Sequence, residues 1–308
     1  MRRSNAPMSH KALCAGAILL TTLAVACGSD NKAATGRTSA QVTAPTTELP
    51  FTLDSNAMGV AVDKTGVYVA DFGTGNEADR HGWSASSNNG RVLLLETGAK
   101  VQKDLIKVAA PTGIALGPDG SVYVAHALLE QLQHQVLQYA NGSTTPVPLP
   151  FTDAMNVAVS DSGDVIVRGS DNVQLLPKGA STPTVIKTPL SAGFGNALAV
   201  DHNGSIYYTT TDFGDIMVIG RGATEPRKYS QTKDRNKIVA MAFDTNGDLY
   251  IIDETSTTYT LRKFANGSTT PTDLPVTGLV LPTGMAVSNG DIYIADGKRV
   301  VKVVRQWG

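Results

Sequence analysis

A short pattern that returns six times constrains the fold of this chain more than any other feature. Each copy has a segment of small and branched residues around an alanine, then a turn, then a second segment rich in Val, Ile and Tyr. The spacings between successive shared alanines are 54, 43, 41, 43 and 44 residues. These alanines are Ala61, Ala115, Ala158, Ala199, Ala242 and Ala286. A period in the low forties is the length of one four-stranded sheet in a ring of such sheets.

The local pattern within each copy indicates strands and not helices. Apolar and polar residues alternate with a period of two, and β-branched and aromatic residues are frequent. Tight turns separate the two segments, and their sequences are Asp-Gly or Asn-Gly, which tolerate a positive φ. The clearest of these turns are Asp119-Gly120, Asn203-Gly204, Asn246-Gly247 and Asn289-Gly290. The chain is therefore predicted to be all-β, a six-bladed β-propeller.

Two further observations predict how the ring closes. The sixth copy ends after its third strand, so it lacks the outer strand that the other copies have. Before the first copy, the segment 49–52 reads Leu-Pro-Phe-Thr and repeats the outer-strand segment 149–152. We predict that the N-terminal strand completes the last blade, which would cover an otherwise open sheet edge.

The N-terminal residues have the organisation of an export signal. Arg2, Arg3 and Lys11 precede an apolar stretch from 12 to 26, which is shorter than the about 20 residues that a membrane-spanning helix needs. The stretch ends in Ala-Val-Ala-Cys-Gly and resembles the bacterial lipobox, which implies diacylation of Cys27, including palmitate. An ordinary secretory signal with an incidental cysteine, or an uncleaved anchor, is the alternative.

These features divide the chain into three parts. Residues 1–26 are predicted to be a lipoprotein signal peptide, residues 27–46 a flexible tether rich in Ser, Thr and Ala, and residues 47–308 the propeller. Cleavage would remove Cys14 and leave Cys27 alone, so no intrachain disulfide is expected. The mature protein is expected to be exported, attached to the cell membrane through its N-terminal lipid, and to face the extracytoplasmic space.

The repeated units resemble a known family, the NHL repeats. Residues 111–115 and 282–286, Pro-Thr-Gly-Ile-Ala and Pro-Thr-Gly-Met-Ala, match the family's opening, and Tyr-x-Ala-Asp matches its second strand. The chain is especially similar to the extracellular sensor domain of the mycobacterial receptor serine/threonine kinase D. The resemblance implies a six-bladed propeller of NHL type and leaves the function open. NHL propellers include protein-binding modules, and related propellers include lactonases and lyases.

Enzymes of the related propeller families usually hold a divalent metal near the axis, at the entrances of the inner strands. The residues expected there include no carboxylate and no histidine. They are Met58, Thr112, Asn156, Asn196, Val239 and Thr283. We therefore predict no metal and no cofactor. Thr112, Asn156, Asn196 and Thr283 are the candidate axial polar residues, and the alternative is that they only satisfy backbone groups.

Three aspartates end second strands, at Asp71, Asp253 and Asp296. A ring of carboxylates would be one interpretation of this pattern. We favour a structural one, because an aspartate at such a position commonly hydrogen-bonds the turn that follows it.

The period is broken in the first two copies, where the loops between second and third strands are long or unusual. These loops are expected to lie on the rim of two adjacent blades, on the face that carries the connections between blades. The candidate binding residues on this rim are Asp79, His81, Trp83, His126 and His134. A variable surface loop without function is the alternative.

These observations favour a binding or scaffolding module at the cell envelope, for a protein or cell-wall ligand. The formal net charge of −1 gives no reason to expect a nucleic acid as partner. The alternative is a metal-dependent, lactonase-like or lyase-like propeller enzyme, and a ligand sensor is a third possibility. Whether the chain is an enzyme stays open, with binding favoured.

Overall fold

The computed structural model describes residues 44–74, 89–128, 133–188, 197–210, 214–232, 236–256 and 258–304. Every regular element in these ranges is a β-strand. The strands of the first half are β1 Thr46–Glu48, β2 Ala57–Val62, β3 Gly66–Asp71, β4 Arg91–Glu96, β5 Lys103–Lys107, β6 Pro111–Leu116, β7 Val122–Leu128, β8 Gln133–Tyr139, β9 Pro146–Pro148, β10 Asn156–Val159, β11 Val165–Arg168 and β12 Asn172–Leu176. Those of the second half are β13 Thr184–Lys187, β14 Leu198–Val200, β15 Ile206–Thr209, β16 Asp215–Ile219, β17 Arg227–Gln231, β18 Lys237–Phe243, β19 Leu249–Glu254, β20 Tyr259–Phe264, β21 Thr272–Asp273, β22 Pro282–Ser288, β23 Asp291–Asp296 and β24 Arg299–Val303.

The strands form six antiparallel sheets of four strands each, which are the blades. Blade 1 has the order β2-β3-β4-β5, and blades 2 to 5 repeat this consecutive order. Blade 6 has the order β1-β24-β23-β22, so its outer strand comes from the N-terminal side of the chain. The architecture is a six-bladed β-propeller, as the repeat predicts.

The N-terminal strand closes the ring, which confirms the predicted closure. Thr46 pairs with Val303 and Glu48 with Val301 across the antiparallel ladder. The strand itself is Thr46–Glu48 and not the Leu-Pro-Phe-Thr segment that follows it. In that segment the Phe51 N–H donates to the Leu49 carbonyl at 2.7 Å, which turns the chain towards blade 1. Pro50 has no N–H to continue the ladder, so the strand ends before it.

The inner strands approach closely at the axis because small residues stand there. A Cβ on Gly284 would lie 2.9 Å from the Gly59 Cα, and a Cβ on Gly113 would lie 2.6 Å from Asn156 Oδ1. At position 284 the close atom is backbone, so glycine is required there by contact and not by backbone angle, whereas a side chain at position 113 would have to displace the Asn156 side chain. The shared alanines Ala61 and Ala199 are buried beside them.

The hydrophobic core is divided among the interfaces between neighbouring blades. One cluster joins Tyr68 and Val92 of blade 1 to Ile114 and Val124 of blade 2. Other clusters repeat this arrangement around the ring, for example between Ile166 of blade 3 and Tyr208 of blade 4. Each sheet therefore buries both faces, which explains why the second strands are apolar along their whole length.

The predicted turns occur at the predicted glycines. Gly120 and Gly247 both have a φ of 82°, in the left-handed region that glycine adopts without strain. In the last blade Asn289, with φ 52°, and Gly290, with φ 82°, are both left-handed. Two successive residues of this kind make the two-residue hairpin that joins β22 to β23.

Packing begins slightly before the predicted start of the propeller. Ala44 is buried, and its N–H donates to the Pro275 carbonyl at 2.7 Å. The predicted signal peptide, residues 1–26, and Cys27, the predicted first residue of the tether, lie outside the described residues. A membrane-crossing helix, long and apolar enough, is not found in the ranges that the structure describes.

Candidate functional site

A cavity of about 170 Å³ opens at the axis, on the face where the inner strands begin. A narrower space of about 70 Å³ continues from it along the axis, between the backbones of the inner strands. We call the wider opening the axial mouth. Its lining residues are Met58, Thr112, Asn156, Lys237, Val239, Glu254, Tyr259, Leu281, Pro282 and Thr283. Three of the four predicted axial polar residues are among them, and the fourth, Asn196, lies outside the described residues.

The three axial polar side chains differ in what they do. The Thr283 hydroxyl donates to the carbonyl of Ala57 in blade 1 and lies 3.3 Å from that of Ala295, so it ties the last blade to the first. Asn156 accepts a hydrogen bond from the Val157 N–H at 2.8 Å and fills the space beside Gly113. The Thr112 hydroxyl is buried and has no partner in the described part of the chain.

Blade 5 contributes two charged side chains and a tyrosine to the axial mouth, which the sequence analysis did not identify. The Lys237 ammonium lies 3.3 Å from Glu254 Oε2, and the Tyr259 hydroxyl donates to Glu254 Oε1 at 3.4 Å. Burial and the neighbouring Glu254 raise the pKa of Tyr259 above its ordinary value. Lys237 and Glu254 are paired across β18 and β19, so strand alignment would have placed them together, although not at the axis.

An exposed apolar pair lies on the connection that enters blade 6. Val280 is 68% exposed and Leu281 is 40% exposed, and Leu281 also lines the axial mouth. The N–H groups of both residues donate to Asp296 Oδ1, at 2.8 and 2.7 Å. We call these two residues the apolar lip. Its backbone is fixed by a buried carboxylate while its side chains remain in solvent.

The three strand-end aspartates have a structural role, but the N–H groups that Asp71 and Asp296 hold belong to the connection that enters the blade and not, as predicted, to the turn after the strand. Asp71 accepts from the Asp54 and Ser55 N–H groups, at 2.9 and 3.1 Å, as Asp296 does for the apolar lip. Each also pairs with an arginine on the neighbouring third strand. The pairs are Asp71 with Arg91, Asp253 with Arg262 and Asp296 with Arg299. Burial raises the pKa of Asp253, whereas the hydrogen bond from Asn236 and the charge of Arg262 lower it.

Two of the five predicted rim residues are described. His126 is only 5% exposed and occupies the strand-end position that Asp71 has in blade 1. Its burial lowers its pKa, while Gln135 and the Ala109 backbone act in the opposite direction. His134 is partly exposed, and its Nδ1 lies 3.4 Å from Asp153 Oδ1. Asp79, His81 and Trp83 lie outside the described residues, so the predicted patch stays a prediction.

Nowhere among the described residues do three His, Cys, Asp or Glu side chains lie together in a way that could hold a metal ion. At the axial mouth the only carboxylate among the described lining residues is Glu254, which already contacts Lys237 and Tyr259.

The fold defines this chain as a six-bladed β-propeller, and solved structures with that fold are similar to it. No family model and no curated protein sequence matches the chain. A gluconolactonase from Xanthomonas campestris is 12% identical with a TM-score of 0.59, over 83% of this chain and 88% of that one. An auxiliary nutrient binding protein from Bacteroides thetaiotaomicron is 10% identical with a TM-score of 0.59, over 82% and 69%. A streptogramin B lyase is 12% identical with a TM-score of 0.56, over 86% and 99%. At such identities the likeness concerns the fold alone.

Proposed function

We propose that this chain is an exported, lipid-anchored propeller that binds a protein partner at the cell envelope through the axial mouth and the apolar lip. The observation that carries the proposal is the exposure of Val280 and Leu281 directly beside a cavity that holds one cation and one anion. Isolated exposed apolar residues are common, but a fixed apolar pair at the edge of a polar cavity is typical of a binding site.

The lip is prepared for binding by its backbone. Because Asp296 holds both N–H groups, the side chains of Val280 and Leu281 are presented without an ordering step in that segment. Pre-organisation of this kind improves affinity by reducing the entropy that is lost on association. The expected partner presents an apolar side chain to the lip and a polar group within reach of Lys237 and Glu254.

The chemistry of the mouth supports binding over hydrolysis. Hydrolysis requires a nucleophile or metal-bound water together with a free acid or base at the reacting atom. Among the lining residues that the structure describes, Glu254 is the one carboxylate, and it is engaged by Lys237 and Tyr259. The similar solved structures include both enzymes and a nutrient binding protein, so they do not choose between the two functions.

Site-specific photo-crosslinking in the producing cells tests this proposal. A photoreactive residue at position 280 is expected to give one discrete protein adduct, and the same residue at Val101 is the matched control. Val101 is 75% exposed but lies in a turn at the other end of blade 1. Leu281→Asp should abolish the adduct from position 280 and leave the melting temperature unchanged.

Two results would overturn the proposal. One is equal crosslinking from positions 280 and 101, or an adduct that Leu281→Asp does not affect. The other is turnover of a lactone or a lyase substrate by the purified protein that is lost in Glu254→Gln, which would make the axial mouth an active site.

A further inference from the structure

A second cavity, of about 280 Å³, lies between blades 2 and 3 and is independent of the axial mouth. It is lined by the turns that join first to second strands and third to fourth strands, at the blade ends opposite the mouth. We call it the inter-blade cleft. Its lining includes Asp119, Tyr123 and Gln138 from blade 2 and Val165, Leu176 and Lys178 from blade 3. Leu149, from the connection between the two blades, is also part of its wall.

At the interface between blades 4 and 5, aromatic side chains fill the space that is equivalent to the cleft. There, Tyr207 packs edge-on against Tyr229 with ring centroids 5.1 Å apart, and Tyr229 reaches the Ser268 carbonyl with a 2.6 Å hydrogen bond. Phe264 packs beside Tyr229, with centroids 6.1 Å apart. The Phe243 ring lies 4.8 Å from that of Tyr207, so four aromatic rings fill this interface and close it at the turn.

The equivalent positions around the cleft carry smaller side chains. Leu249 pairs with Phe264 in blade 5, and in the same register Val165 pairs with Leu176 in blade 3. Leu149 is equivalent to Tyr229 of blade 4. Each lies two residues after the outer-strand residue that pairs with the third strand, Val147 with Gln138 and Arg227 with Val218. Smaller residues on both walls leave open, between blades 2 and 3, a space that aromatic rings fill between blades 4 and 5.

At the bottom of the cleft one polar side chain, Gln138, replaces an apolar one. Tyr123 pairs with Gln138, at the register where Tyr207 pairs with Val218. The Gln138 amide donates to the Tyr123 oxygen at 3.0 Å, which leaves the Tyr123 O–H and the Gln138 Oε1 for a ligand. The bottom of the cleft therefore offers one hydrogen-bond donor and one acceptor, between walls formed by Leu149, Val165 and Leu176. Such a cleft suits a small amphipathic molecule.

The two edges of the cleft carry opposite charges. Asp119 is on the blade 2 side and Lys178 is on the blade 3 side, and both are exposed. The Ser121 N–H and, more weakly, Lys178 hold the pKa of Asp119 below its ordinary value. Neither side chain takes part in an ion pair within the part of the chain that the structure describes. Two opposite charges that face one cavity without pairing are complementary to a ligand that carries both.

We propose that the inter-blade cleft binds a zwitterionic amino acid with an aliphatic side chain. The α-ammonium lies against Asp119, the α-carboxylate against Lys178, and the aliphatic side chain packs between Leu149 and Leu176. The volume agrees with this class, because pockets for larger small molecules begin at roughly 300 Å³. This site is distinct from the axial mouth, so its failure would leave the proposed partner binding untouched.

The test uses L-leucine as the probe and NMR as the readout. The amide signals of Gly163 and Gly179, two glycines that line the cleft, are expected to shift saturably with L-leucine. N-acetyl-L-leucine, which lacks the ammonium, and L-leucine methyl ester, which lacks the carboxylate, should each bind about tenfold more weakly, because a hydrogen bond to a charged group is lost.

Variants assign each charge to its edge. Asp119→Asn should abolish the preference for L-leucine over N-acetyl-L-leucine, and Lys178→Met should abolish the preference over the methyl ester. Lys64→Met is the matched control, an exposed lysine in the first turn of blade 1, and should bind as the unchanged protein does. Leu176→Phe should close the cleft and abolish the shifts.

The proposal is overturned if the amide signals of Gly163 and Gly179 show no saturable shift up to about 10 mM L-leucine. A dissociation constant of that size is near the weakest that such a site would have. It is also overturned if both derivatives bind as well as L-leucine does. If Leu176→Phe does not fold, the two charge variants decide alone, since both substitutions are on exposed side chains.

Discussion

At the residue scale, one stabilising contact recurs: a buried carboxylate at the end of a second strand pairs with an arginine on the third strand. In blade 6 Asp296 is 1% exposed, holds two backbone N–H groups and pairs with Arg299. The repeat predicted that such aspartates would be structural, but not that each would have an arginine partner. Those arginines are on third strands, which vary more between copies than the first two strands do.

Replacing this carboxylate should be costly. Asp296→Ala leaves Arg299 without its buried partner and two N–H groups without an acceptor, so a loss of about 3–5 kcal/mol in unfolding free energy is expected. Urea denaturation measures it. The matched control is Asp291→Ala, which removes a partly exposed pair with Lys302 at 2.6 Å and should cost about 1 kcal/mol or less. Equal effects of both substitutions would contradict the structural role of Asp296.

His202 makes stability depend on pH. Its Nδ1 lies 2.7 Å from Asp161 Oδ2 and its Nε2 lies 2.9 Å from the Asp244 carbonyl, so only the doubly protonated ring can donate to both. Asp161 and the Asp244 carbonyl raise the pKa of His202. The folded state therefore binds this proton more tightly, and the stabilisation is complete below the unfolded pKa of about 6.5 and is lost as pH rises through the raised pKa.

We expect the unchanged protein to be more stable than His202→Gln by about 0.5–1 kcal/mol at pH 6, and by less at pH 9. The value is small because both side chains are largely exposed. Thermal denaturation at the two pH values measures the difference. Burial lowers the pKa of His126, so this residue changes the pH dependence of stability in the opposite direction. Both proteins contain His126, so its effect cancels in the difference between them. A difference that grows with pH would refute the assignment.

At the element scale, ring closure depends on a strand of three residues. β1 contributes the ladder to β24, and further backbone bonds join Leu49 to Val300 at 2.9 Å and Val304 to Pro45 at 3.3 Å. The repeat predicted this closure because the last copy lacks an outer strand. It misplaced the strand by a few residues, since the Leu-Pro-Phe-Thr segment that carries the sequence signal is the turn after the strand.

Removing this strand should destabilise the whole ring. A mature protein that starts at Leu49 loses several backbone hydrogen bonds and exposes the edge of β24, so we expect a loss of about 3 kcal/mol and a tendency to aggregate. Deletion of residues 29–40 is the control and should leave stability unchanged. Urea denaturation and light scattering provide the measurements. A shortened protein as stable as the control would show that closure by β1 is dispensable.

At the scale of the whole molecule, the location of the propeller depends on residues outside the described ranges. The lipobox-like sequence predicts that Cys27 carries lipid and that the propeller is held at the membrane. In the producing cells, Cys27→Ala should abolish incorporation of labelled palmitate and shift the protein from the membrane fraction to an unprocessed or released form. The purified propeller should melt at the same temperature in both cases. Labelling that persists in Cys27→Ala would refute the anchor.

The sequence by itself determined the number of blades, the turns between first and second strands and the origin of the closing strand. These features depend on local alternation and on a pattern that repeats along the chain, so each copy supports the others. It also aligned Thr112, Asn156 and Thr283 at the entrances of the inner strands, where they line the axial mouth, and their role in binding stays a prediction.

Only the tertiary structure decided what lies between the copies. The group of Lys237, Glu254 and Tyr259, the exposure of Val280 and Leu281, and the burial of His126 follow from how one blade meets the next. The inter-blade cleft exists because leucines stand on both of its walls where another interface has rings. Such contacts depend on side-chain volumes in two different copies at once, and a repeat pattern does not specify them.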